Sequence, residues 1–108
     1  VKAVRQRLPA TKILLLSVLP SERSDWATES TGAINTGLAT RYREAGAVTF
    51  LDVTRVFVKN GRTNRDLFLD PLLTPPAAPL HPSAEGQNLL SLAIEPTLAA
   101  LLGDRPHK

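Results

Sequence analysis

Two stretches of this chain are nearly free of polar alternation: "TKILLLSVLP", apolar without a break from Ile13 to Leu16, and "AVTFLDV", residues 47 to 53. A strand with one wet face alternates apolar and polar residues. A continuous apolar run belongs instead to a strand covered on both faces, the usual state of a parallel sheet. Two such strands, pairing with each other, leave an outer backbone edge on each side. The pattern therefore predicts part of a larger sheet, with further strands supplied from outside these residues.

Helical patterns flank the strands. In "VKAVRQRLP" Val1, Val4 and Leu8 recur at helical spacing, and Pro9 ends the run. In "WATESTGAINTGLATRYREAG" Ile34, Leu38 and Tyr42 lie four apart and are expected to face the core, with Gly46 as the C-terminal cap. Gly32 and Gly37 each weaken that helix by about 1 kcal/mol relative to alanine, so packing must support it. From Thr54 to Leu80 the periodicity disappears. "KNGR" reads as a turn, "RDLFLD" as a helical turn and "DPLLTPPAAPLHP" as a proline-rich extended loop. A last helix places Leu90, Ile94, Leu98 and Leu101 on one face. Ser83 is its expected N-cap, Glu85 lies in its first turn, Pro96 is expected to kink it, and Gly103 to stop it. The order of helix, strand, helix, strand, loop, helix defines an α/β class, with no internal repeat.

Composition narrows the function. The charge of +3 comes from 13 basic and 10 acidic residues; the arginines are scattered, and three Phe, one Trp and one Tyr are the only aromatics. A nucleic-acid interface calls for a clustered basic face with aromatics to stack on, so none is expected. With no cysteine there is neither a disulfide nor a thiolate metal site. The run "ILLLSVL" is far too short to span a bilayer. "VKAVRQRLPATK" has no apolar signal-peptide segment, and the compartment stays open.

Chemistry concentrates around "PLHPSAEGQ", residues 79 to 87. His81 stands at a helix entrance in a loop, where α/β folds carry reactive groups, and imidazole is the usual base near neutral pH. The other reading is a loop imidazole bonded to a carbonyl. A catalytic base needs a carboxylate on its second ring nitrogen. Asp70 in the same loop is the first candidate, its other reading being an Asp-Pro turn residue; Asp66 is a weaker one. Asp52, directly after the second strand, is expected to cap the following turn. Ser17 has no G-x-S-x-G elbow around it and is set aside as a nucleophile. His107 makes no metal-ligand spacing with His81, and no glycine-rich phosphate loop is present, so neither a metal nor a cofactor is expected.

Taken in order, "KILLLSVLPS", "AINTGLATRY", "VTFLDVTRVFVKNGR" and "LHPSAEGQNLLSLAIEPTLAALL" resemble the C-terminal half of GDSL/SGNH esterases, in the branch of the platelet-activating-factor acetylhydrolase catalytic subunits. The resemblance covers nearly the whole chain. It implies a three-layer α/β/α, flavodoxin-like fold with a five-stranded parallel sheet, the last two strands lying here, and residues 1–108 as the C-terminal portion of a single domain. It also implies ester hydrolysis by a Ser-His-Asp triad, without cofactor or metal, on a short acyl or acetyl ester. The family's histidine falls on His81. Its serine, in a Gly-Asp-Ser block, and its oxyanion glycine and asparagine belong to motifs absent from this sequence. They would come from a preceding segment or another copy of the chain, and Asn35 is not the oxyanion asparagine. The family's aspartate stands three residues before the histidine, a place held here by Ala78. The role passes to Asp70, with "PLLTPPAAPL" looping out between acid and base. The alternative to an esterase is a catalytically incomplete module of the same kind that binds another protein; a third is a carbohydrate-deacetylating role on the same scaffold.

Overall fold

The computed structural model describes residues 1–44 and 46–105. Helix α1 (Lys2–Arg7) leads to strand β1 (Ile13–Leu16), helix α2 (Asp25–Arg41) and strand β2 (Val48–Leu51). A short hairpin of β3 (Val58–Lys59) and β4 (Arg62–Thr63) follows, then helix α3 (Ala84–Leu102). Single 3-10 turns cover Thr54–Phe57, Arg65–Leu67 and Asp70–Leu72. The fold is α/β, as the alternation of patterns requires.

β1 and β2 pair in parallel from Ile13↔Val48 to Leu16↔Leu51, with α2 as the crossover between them. Beyond the ladder, the Ser17 hydroxyl accepts the Val53 N–H at 2.9 Å, joining the two strand ends. Every residue of both strands is half-buried, not buried as the continuous apolar runs predict. The reason is the count of partners: among the described residues each strand pairs along one edge only.

α2 starts on Ser24, whose side chain accepts the Ala27 N–H at 3.0 Å. It ends at Arg41 with Tyr42 as the C-cap (φ −111°), so Gly46 is not the cap. The Tyr42 N–H closes the last turn on the Leu38 carbonyl, and no left-handed residue is needed. Of its expected apolar stripe, Leu38 and Tyr42 are half-buried but Ile34 is 50% exposed. What anchors this helix is polar. Asn35 is buried, and its side-chain amide bonds both the N–H and the carbonyl of Val18, at 2.7 and 2.9 Å. One side chain thus takes the place of a neighbouring strand and satisfies the backbone just after β1.

The tightest packing lies where periodicity is lost in the sequence. Phe57, Leu67 and Phe68 are buried, with Leu19, Val56 and Leu90 packed against them. The Phe57 and Phe68 rings meet at 5.3 Å between centroids, tilted by 49°, within the favourable range for aromatic pairs. Asn60 and Gly61 both have positive φ (54° and 74°), the requirement of a tight hairpin turn, and return the chain at "KNGR".

α3 begins on Ser83, which accepts the Gly86 N–H at 3.1 Å, and stops at Gly103 in the left-handed conformation (φ 71°). It runs unbroken through Pro96. Gly86 is buried against the Arg65–Leu67 turn: a Cβ there would collide with the Leu67 carbonyl oxygen and press on the Phe57 ring, 3.2 Å away. That carbonyl also accepts the Ser83 N–H at 2.8 Å, so the helix entrance and the turn are locked together. Gly86→Ala is therefore expected to destabilise the protein by about 2 kcal/mol, an overpacking cost. Urea unfolding of the full-length polypeptide checks it, and an unchanged midpoint would contradict the close approach.

Candidate active site

The Phe57–Leu67–Phe68 core forms the floor beneath the loop that carries the polar residues. From Phe68 onward the chain runs antiparallel to the His81–Pro82 segment, through a bridge between Phe68 and Pro82 and a 2.8 Å bond from the Leu69 N–H to the His81 carbonyl. Asp70 follows directly and is buried (6% exposed). Its carboxylate is filled from one side. Oδ2 accepts the backbone N–H groups of Leu80 and His81 at 2.8 and 2.6 Å, and Oδ1 lies 2.8 Å from His81 Nδ1. The backbone N–H of His81, then its ring, hold the Asp70 carboxyl well below the ordinary aspartate value of 3.8, against an opposing push from burial.

This arrangement fixes the state of the histidine. An ionised carboxylate only accepts hydrogen bonds, so Nδ1 must carry the hydrogen. In the neutral ring Nε2 is then the basic nitrogen, and it makes no hydrogen bond among the described residues. The His81 side chain is 69% exposed. The result is a surface imidazole with one nitrogen tied to a buried acid and the other able to take up a proton.

The loop between acid and base is closed by the same aspartate. The Asp70 carbonyl accepts the N–H groups of Leu73 and Ala77, at 3.1 and 3.0 Å, while its carboxylate takes those of Leu80 and His81. Pro79 is fully buried. "PLLTPPAAPL" thus loops out and returns, bringing Asp70 and His81 together.

The other candidates are elsewhere. Asp66 is exposed, and its own N–H bonds to the Asn64 side chain in the Arg65–Leu67 turn. Asp52 accepts the Thr54 N–H and hydroxyl at 2.9 and 2.5 Å and so holds the first residue of the Thr54–Phe57 turn, although the N-cap position itself is Val53; the Thr54 hydroxyl is the main cause of its lowered pKa. Ser17 is buried in its bond to Val53. His107 lies outside the described residues. A groove of about 510 Å³ runs between α2 and the end of β2, past Asn35, Arg43, Asp52 and Thr54, and includes neither Asp70 nor His81. Among the described residues no group of His, Cys, Asp and Glu is placed to hold a metal, and no helix is long and apolar enough to cross a membrane.

Neither a family model nor a curated protein matches the chain. Among solved structures it is similar to a protein from Streptococcus pneumonia provisionally described as a platelet activating factor, with a TM-score of 0.70 and 24% sequence identity. The match covers 90% of this chain and 46% of that one, so the chain spans about half the length of its neighbour. At this identity the likeness establishes the fold, an α/β unit built on a parallel sheet.

Proposed function

We propose that residues 1–108 are the C-terminal portion of a single SGNH-hydrolase-like domain, and that the complete domain hydrolyses carboxylic esters of short acyl groups, acetyl esters included. The observation that carries this reading is the pairing of the buried Asp70 carboxylate with His81 Nδ1 at 2.8 Å, which leaves Nε2 basic on an exposed ring. The one-sided strand pairing and the match to about half of a longer chain support the portion reading.

In this mechanism a serine from outside these residues attacks the ester carbonyl while His81 Nε2 takes its proton. Asp70 stabilises the imidazolium and holds the ring in place. His81 then gives the proton to the departing alkoxide, leaving an acyl-serine. Water, activated by the same nitrogen, releases the acid. Backbone and side-chain donors for the oxyanion also lie outside this chain.

The second reading is a catalytically incomplete module of the same fold that binds another protein. The strand edges that have no partner among the described residues favour it, since an open edge offers backbone groups for pairing. One assay separates the two. The full-length polypeptide is expected to turn over p-nitrophenyl acetate, while residues 1–108 alone do not. A full-length polypeptide without turnover would sink the esterase and leave the binding module.

A further inference from the structure

One cation of this chain has a buried donor without a partner. Arg5 stands on α1, and its Nη1 is enclosed by protein yet bonded to no acceptor among the described residues. Buried polar atoms are nearly always bonded, and a charged donor left without an acceptor carries its full desolvation cost. The surroundings add to that cost. Arg5 borders a recess of about 410 Å³, with Lys2 of the same helix, Arg41, Tyr42 and Glu44 at and beyond the end of α2, and Val48 at the start of β2. Three cationic side chains thus line it with one carboxylate, and among the described residues Glu44 pairs with none of them. The Arg41 guanidinium is restrained as well, 5.7 Å from the centroid of the Tyr42 ring.

Basic residues in the last turn of a helix ordinarily serve its dipole, and Arg5, Arg7 and Arg41 all occupy such places. A side chain with that role alone stays in water or bonds the last carbonyls. Arg5 Nη1 does neither. Its burial does not depend on how much of the domain is present, since residues of this chain already enclose it and further segments can only enclose it more. What it lacks is an acceptor, and the charge around it calls for a negative one. We propose that the recess is an oxyanion site, in which Arg5 and Arg41 hold a phosphate or carboxylate group. Guanidinium suits such groups best, through paired N–H donors in one plane. Two sources share this chemistry: a free phosphate or phosphomonoester, and an aspartate or glutamate from outside residues 1–108. The site stands apart from Asp70 and His81. It lies where β2 begins, whereas the core beneath that pair takes Leu19 and Val56, which follow the other ends of the strands.

The test uses the full-length polypeptide, with inorganic phosphate as the probe at constant ionic strength. Calorimetric titration is expected to show saturable binding, weakened by about tenfold or more in Arg5→Met and in Arg41→Gln, the worth of a hydrogen bond to a charged group. That result identifies a free oxyanion. Thermal unfolding in phosphate-free buffer covers the other source, because the sign of the shift is informative. Removing a buried cation that has no partner raises the midpoint, whereas removing one that holds a buried carboxylate lowers it by leaving the acid unpaired. No phosphate binding together with a lowered midpoint in Arg5→Met, largely restored in Arg5→Lys, identifies an acidic side chain as the occupant. No phosphate binding together with an unchanged or raised midpoint would overturn the proposal. So would phosphate binding of equal strength in the parent and both variants, which would mark a surface ion unrelated to the recess. Ester turnover plays no part in either readout, so the hydrolase reading can fail while this site stands, or the reverse.

Discussion

Replacing His81 by alanine in the full-length polypeptide is expected to lower kcat on p-nitrophenyl acetate by about 10⁵-fold or more. Removal of the histidine from a serine hydrolase triad has a cost of this order, because serine loses its base and the leaving group its acid in one step. The folded state should tolerate the change. The ring is 69% exposed, so little packing is lost, and the backbone bonds of residue 81 to Leu69 and Asp70 do not need the imidazole. Thermal unfolding measured beside the kinetics checks this. Turnover within tenfold of the parent would remove His81 from the mechanism.

Asp70→Asn is the second large effect, a loss of about 10⁴-fold in kcat. An amide in place of the carboxylate can present its NH₂ to Nδ1, which then accepts and passes the hydrogen to Nε2. The ring stays in place with its basic nitrogen facing the wrong way. This variant should also differ in acid. The Asp70 carboxyl is held below its ordinary value by the His81 N–H and ring. Its contribution to stability is therefore complete above pH 3.8 and is lost as the pH falls from there through the depressed folded value. In the Asn variant that acid-side loss is absent. An Asp-Pro turn residue without a catalytic role would leave kcat near the parent value, whatever its effect on stability.

The legible parts of this molecule are those governed by local rules. Apolar runs at Ile13–Leu16 and Val48–Leu51 gave two parallel strands, and Ser83 and Gly103 bound the last helix as their capping chemistry requires. The same strands are half-buried, not buried, because a continuous apolar run reports the cover of a whole sheet, and among the described residues only one edge of each strand has a partner. Gly46 was expected to cap α2, but a helix can also end on an ordinary residue when its last N–H finds a carbonyl, as Tyr42 does. The core was the least legible. Phe57, Leu67 and Phe68 sit in turns and a loop, where side-chain burial has no period to detect. Their aromatic and apolar character inside an otherwise polar stretch was the available signal. Asn35 is a similar case, since its clamp on the Val18 backbone depends on a contact distant in sequence. The site was half legible. His81 announced itself by its place before a helix, whereas pairing with Asp70 depends on how residues 71 to 80 loop out, set by the Asp70 carbonyl as much as by its carboxylate.

The central claim is that Asp70 acts through His81. A double-mutant cycle on the full-length polypeptide, with kcat measured for the parent, His81→Ala, Asp70→Asn and the double variant, tests it most directly. Residues that work as one unit are strongly non-additive. The double variant is predicted to be no slower than His81→Ala alone. If Asp70→Asn lowers kcat by the same factor with and without His81, the carboxylate does not act through the imidazole, and the assignment of the pair is wrong.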